Sequence, residues 1–220
     1  DWYTPASQYL GFTSTAGNAS VKGFNLVGNP YPSAIDWDLF SSSSSAAAIY
    51  GPGLNGYIYC LDQVSKNYGS YLVGSGGTGT NNVTHIIPSG LGFFVRATAT
   101  SPQLIFTEAA KTAAQVSGNQ LLMGKPVAKT VNRFLMLKLN KDSTNYDETI
   151  IRFNDTANNK YVQTEDAAYL PGFGAVSLSS FSSDSVAMAV NQMQLPKQTS
   201  LSIPLKVTAK ATGVYKIQLD

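Results

Sequence analysis

Alternation of apolar and polar side chains with a period of two limits this chain more than any other feature. In Phe134-Leu135-Met136-Leu137-Lys138-Leu139 the three leucines fall on one face of an extended backbone. Leu201-Ser202-Ile203-Pro204-Leu205-Lys206-Val207 places an apolar residue at every second position, and Val214-Tyr215-Lys216-Ile217-Gln218-Leu219 does the same. A helix would scatter these residues around its axis. A strand gathers them on one face, which is expected to be buried. Further strand candidates lie at 148–153, 175–178 and 185–190, with turn signals between them. Roughly seven short strands of this kind predict an antiparallel sandwich. Pro204 cannot donate to a ladder, so its segment is expected at an edge or a bulge.

Composition points the same way. β-branched and aromatic residues are plentiful, and the helix formers Glu, Lys, Arg and Leu are thin. Hydrophobic residues make up 43% and charged residues 13%, against a usual charged share of about 25%. Ample apolar content with low net charge argues against disorder. A net charge of +2 on sparse charges makes nucleic acid a poor partner. No apolar run approaches the ~20 residues of a membrane helix, so no membrane insertion is expected. Cys60 is the single cysteine. It excludes an internal disulfide or a thiolate metal cluster and reads as a small buried hydrophobe. The opening Asp1-Trp2-Tyr3-Thr4-Pro5 has neither Met nor a leader-like pattern, and reads as a processed form or a piece of a longer protein.

Charge also divides the chain. Residues 1–107 carry seven charged side chains, and the remainder carries 21. Glu108 to Thr130 shows no sustained period and reads as a linker. The expected fold is therefore all-β, with two antiparallel β-sandwich modules of jelly-roll or Ig-like type. An aromatic-rich, charge-poor module spans 1–110, a linker or crossing segment spans 111–130, and an Ig-like module spans 131–220. First-half strands are expected at 21–27, 56–61, 92–97 and 104–107. Ser41 to Ala48 is expected to be a loop leading into one helical turn. Gly74 to Gly79 is glycine-rich but lacks the Lys-Ser/Thr of a phosphate loop, so it reads as a turn.

Asn29-Pro30-Tyr31-Pro32 is a second constraint. Two prolines fix φ, remove two donors and push the preceding residues to extended conformations. A rigid non-helical turn is expected here, with Tyr31-Pro32 a candidate cis bond. The surrounding block, Gly23-Phe24-Asn25-Leu26-Val27-Gly28-Asn29-Pro30-Tyr31-Pro32-Ser33-Ala34-Ile35-Asp36-Trp37-Asp38, resembles a segment of large secreted and surface-anchored proteins of the Bacteroidetes. There it lies upstream of a type IX secretion sorting domain. Tyr57-Ile58-Tyr59, Ile86-Ile87-Pro88-Ser89-Gly90-Leu91-Gly92-Phe93-Phe94-Val95, Arg133 to Leu137, Asp147-Glu148-Thr149 and Gly213-Val214-Tyr215 continue the likeness in order. Leu91 stands where a polar residue is usual, and Lys111 near a usual Arg. The resemblance implies a location outside the outer membrane, within a long multi-domain chain. It implies no catalytic residue.

Candidate sites follow from residue chemistry. Asp36 and Asp38 lie two apart, so an extended segment turns both carboxylates one way. That is a possible start for calcium, which wants several hard oxygens. No other cofactor is expected. The oxygen-rich stretch Asn140 to Glu148 is a second calcium candidate, though it lacks the glycine and spacing of an EF-hand loop. Trp37, Tyr57, Tyr59, Tyr68 and Tyr71 belong to an aromatic-rich first half, and flat rings with a polar handle suit sugars and protein interfaces alike. Ser143, Thr156 and Ser185 each follow an aspartate in a short pattern resembling the O-glycosylation acceptor of Bacteroidetes. His85 is the only histidine and no Gly-x-Ser-x-Gly elbow occurs, so a Ser-His-Asp or Cys-His enzyme is not expected. The reading that results is a non-enzymatic extracellular structural or adhesive module. Its partners would be other domains of its own chain, copies of itself met through sheet edges, or surface glycans. The alternative is a carbohydrate-binding module attached to a polysaccharide-degrading enzyme.

Overall fold

A computed structural model describes residues 6–12, 22–77, 79–114, 134–197 and 200–219. Among them the fold is all-β, with no α-helix and two single 3-10 turns. The chain forms two compact units. The first comprises Asp1–Cys60, Tyr71–Thr78 and Asn82–Val127, and the second Leu61–Ser70, Gly79–Asn81 and Ala128–Asp220. Most of the expected linker 111–130 lies outside the described residues, as do Trp2 and Tyr3.

The strands of the first half are β1 (Ala6–Tyr9), β2 (Phe24–Gly28), β3 (Ala34–Asp36), β4 (Phe40–Ser41), β5 (Ile49–Tyr50), β6 (Leu54–Leu61), β7 (Tyr68–Leu72), β8 (Ile86–Ile87), β9 (Gly92–Ala97), β10 (Gln103–Phe106) and β11 (Lys111–Thr112). They form three sheets, in the orders β1-β10-β5-β4, β11-β3-β8 and β2-β9-β6-β7. β10 pairs antiparallel with β1 and β5, β3 with β11 and β8, and β9 with β2 and β6, while β4 and β5 run parallel. The stretch 41–48 holds no helical turn; a simple turn over 44–47 is closed by the Ala47 amide on the Ser44 carbonyl. Trp37 sits at the centre of the core. It stacks on Phe40 at 4.7 Å, meets Phe93 edge-on at 5.7 Å, and donates its indole N–H to the Gly56 carbonyl. Around these rings pack Val27, Ile35, Ile49, Ile58, Leu104 and Phe106.

The proline-rich turn is held by one side chain. Pro30 and Pro32 supply no N–H, so Asn29 does the bonding. Its Nδ2 lies 2.8–3.1 Å from the carbonyls of Ser33, Ile87 and Pro88, and its Oδ1 accepts the Tyr31 amide at 2.9 Å. The turn is thereby tied to β8. Every described peptide bond is trans, Tyr31-Pro32 included. The expected cis bond is not needed, because Asn29 already fixes the turn.

The second unit contains β12 (Phe134–Asn140), β13 (Tyr146–Phe153), β14 (Ala167–Ala168), β15 (Val176–Phe181), β16 (Ala187–Met193), β17 (Leu205–Ala209) and β18 (Lys216–Leu219). They build one sheet in the order β17-β15-β16-β13-β12-β18, with β14 also on β16. Only β13 and β16 run parallel. Leu139 of β12 packs with Val176 and Leu178 of β15, so strands distant in the sheet face one another across a small core. Residues 61–70 fill part of this unit. Asn67 donates to the carbonyls of Tyr146 and Val176, and Asp62 accepts the Tyr146 hydroxyl at 2.5 Å. Gly172 and Gly174 permit the close approach, since a Cβ on either would lie within 2.6 Å of the 65–67 backbone. Pro204 stands just before the edge strand β17, where its missing donor costs no ladder bond.

Alternation does not guarantee cover. The leucine row of β12 runs from exposed at Leu135 through half-buried at Leu137 to buried at Leu139. The apolar positions of β17 and β18 stay largely in solvent. Asn29→Ala is expected to cost about 2 kcal/mol or more in a urea unfolding curve, because buried carbonyls and an amide lose their partner. Asn29→Asp is expected to cost at least as much, since its second oxygen would face three carbonyl oxygens. An Asn29→Asp protein as stable as wild type would refute this account of the turn.

Candidate functional site

One group of ligand-type side chains gathers in the first unit. Asp36 ends β3 and caps the 3-10 turn Trp37–Leu39 by accepting the Asp38 amide at 2.9 Å. His85 immediately precedes β8, and the register of β3 with β8 sets Asp36 opposite Ile86. The ladder continues through the Trp37 amide onto the His85 carbonyl at 2.7 Å. His85 is therefore delivered beside both aspartates. Its Nδ1 lies 2.8 Å from Asp36 Oδ1 and 3.7 Å from Asp38 Oδ2. The other oxygen of Asp38 accepts the Tyr71 hydroxyl at 2.8 Å and the Gly74 amide at 2.7 Å. Gly74 has φ of +72°, which only glycine adopts without strain. Burial, with Asp38 adding to it, pushes the Tyr71 hydroxyl up to about 12, so Tyr71 stays a donor.

The three ligand atoms lie within 4.8 Å of one another, and their side chains are 23–31% exposed. The pair nominated for calcium is thus joined by an imidazole. One nitrogen and two carboxylates suit a transition ion such as Zn²⁺, with positions left for water, better than Ca²⁺, which takes six to eight oxygens. Tyr71 and Gly74 would serve by fixing the Asp38 carboxylate. The second calcium candidate is a turn. Asp142 accepts from the amides of Thr144 and Asn145 and from both their side chains, and these donors hold its carboxyl well below the usual carboxylate range.

The nominated aromatic rings are distributed differently. Trp37, Tyr57, Tyr59 and Tyr71 are at most 1% exposed, so their faces line a core and offer nothing for a sugar to stack on. Strand β6 is buried on both sides along Tyr57-Ile58-Tyr59-Cys60. Tyr68 is half-buried. Cys60 is buried too, and burial pushes its thiol up to about 12, so it keeps its proton at neutral pH. Ser143, Thr156 and Ser185 all lie in exposed turns.

The second unit holds a buried carboxylate at the end of the stretch read as the second calcium candidate. Asp147 is fully buried. It accepts from Asn81 Nδ2, the Tyr169 hydroxyl and the amides of Leu178 and Glu148. Burial pushes its carboxyl up to about 6 against the pull of these four donors. Asp166 is likewise raised to about 6 by burial, against the amides of Val162 and Gln192. Both aspartates bind loops to strands and neither lies in the His85 group.

An all-β protein of two units, with one mixed Asp/His cluster and an incompletely covered sheet, is the class these features define. The chain belongs to the family described as Domain of unknown function (DUF8693), whose model matches residues 3–220. No curated protein and no solved structure matches it.

Two outcomes are expected. Zn²⁺ raises the Tm of the wild type but not of His85→Ala, while Ca²⁺ at equal concentration moves neither. A Ca²⁺ shift that survives His85→Ala would mark an oxygen-only site instead. The second concerns Asp147. Its folded pKa of about 6 lies above the unfolded value, so the stability it contributes is complete below about pH 4 and lost as pH rises through 6. The unfolding free energy of wild type minus that of Asp147→Asn is expected to fall by roughly 2 kcal/mol between pH 4 and 7. A flat or rising difference would show that the donors outweigh burial.

Proposed function

We infer that this chain is a non-enzymatic, extracellular structural or adhesive module of a secreted or surface-anchored bacterial protein, making its contacts through uncovered sheet edges. One observation carries the reading. The apolar rows of the two edge strands of the second unit are exposed: Val207 by 48%, Ile217 by 52% and Leu219 by 63%. An edge strand with free backbone groups and an exposed apolar row is a template for pairing. The Asn-Pro-Tyr-Pro block supports the setting, through its resemblance to surface proteins of the Bacteroidetes. The carbohydrate-binding alternative draws less support, because four of its five candidate rings are buried.

Beads coated with the chain are expected to adhere to a layer of intact Bacteroidetes cells. The double variant Ile217→Thr, Leu219→Thr should lose most of that adhesion with little change in Tm, since both side chains are exposed. Adhesion that survives the double variant would sink the reading. Adhesion displaced by soluble polysaccharide would favour the carbohydrate-binding module.

A further inference from the structure

The second unit also indicates what kind of strand its edges accept. In register, Leu219 lies opposite Leu137, and Ile217 opposite Leu139. Val207 lies opposite Leu178, and Leu205 opposite Ser180. Residues opposite one another share a face. Ile217, Leu219 and Val207 therefore extend the face on which Leu139, Val176 and Leu178 are buried and against which Leu137, Leu205 and Tyr215 pack. Among the described residues the core is built at its centre and left open at both margins.

The other face of both edges is basic. Lys206 and Thr208 alternate with the apolar residues of β17, and Lys216 and Gln218 with those of β18. Lys206 and Lys216 are exposed. Between Leu195 and Leu219 the sequence holds four lysines and no acid. A strand laid beside either edge must itself alternate: apolar toward the open core, and acidic beside the lysines, because opposite charges across neighbouring strands are favourable and like charges are not. The same lysines act against a second copy. Pairing β17 or β18 with β17 or β18 of another copy brings lysine-bearing faces together with no acid to receive them, which is how natural edges resist self-pairing.

We propose that the open edges β17 and β18 take up an extended strand of a chemically different protein, one in which apolar residues alternate with Asp or Glu. This rests on the adhesive reading above and specifies its partner. Backbone hydrogen bonds to the free edge supply affinity, the apolar row is buried against Ile217, Leu219 or Val207, and the lysines select charge.

The test uses fluorescein-labelled peptides of about seven residues, one alternating Val with Glu and one alternating Val with Lys. Each is titrated with the 220-residue chain and followed by fluorescence anisotropy. The Val/Glu peptide is expected to bind about tenfold tighter than the Val/Lys peptide at low salt, with the gap narrowing in about 300 mM NaCl. Ile217→Thr with Leu219→Thr should weaken the Val/Glu peptide several-fold with little change in Tm. Lys206→Glu with Lys216→Glu should reverse the charge preference. Equal binding of the two peptides, or binding of neither, overturns the proposal. So does a concentration-dependent dimer by light scattering that is lost in the Ile217→Thr, Leu219→Thr variant, which assigns the edges to a second copy. If the edge variant abolishes bead adhesion while the peptides fail to bind, the adhesive reading stands and only the strand chemistry is wrong.

Discussion

A sheet that does not close on itself ends in strands with a free side, and among the described residues the second unit ends in two such strands. That constraint organises the rest of the unit. Strands β12 and β15 meet face to face, so the sheet makes a core from its own inner surface. The core is small, and buried polar side chains do much of the joining around it. Asn67 bridges the carbonyls of Tyr146 and Val176, and Asp147 collects four donors from four places in the chain. At the margins the packing stops while the apolar alternation continues through β17 and β18. What a strand pattern would spend on a core is there presented to solvent.

The first unit solves its packing in another way. It has few charges, and its rings go inward, with Trp37, Phe40 and Phe93 in mutual contact. Its irregular backbone is fixed by single polar side chains. Asn29 ties the proline turn to β8, and the same β3–β8 pairing brings His85 to Asp36. One short ladder therefore sets both the turn and the cluster. A cation held there would link β3, β8 and, through Asp38, the residues Tyr71 and Gly74.

The long strands were legible because a run of six or more residues shows its period. β9, β12, β13 and β16 all lie where alternation or β-rich composition puts them. Two-residue strands such as β5 and β14 carry no period and left no signal. The mixed cluster was half legible. Asp36 and Asp38 announce themselves by spacing, but His85 is 49 residues from Asp36, and only the β3–β8 register joins them. The Ile86-Ile87 pair after His85 was the one available hint of a strand. The aromatic rings show a different limit. Composition counts tyrosines but does not say that β6 is buried on both sides, so its Tyr57 and Tyr59 read as a surface that does not exist. For β17 and β18 the error runs the other way. Alternation identifies which face is apolar, and it is silent on whether anything lies over that face. Nor does any local pattern say that residues 61–70 and 79–81 belong to the second unit, because their bonds are to residues far along the chain.

The claim on which the account depends is that the margins of the second unit are open in the isolated chain and are the parts covered on contact. Amide hydrogen exchange, read by mass spectrometry, tests it directly. In the free chain, peptides spanning 205–209 and 216–219 are expected to exchange much faster than those spanning 146–153 and 187–193. On a bound surface these two edge segments are expected to slow more than any others. Edges as protected as the central strands in the free chain, or protection on contact that falls elsewhere, would contradict the account.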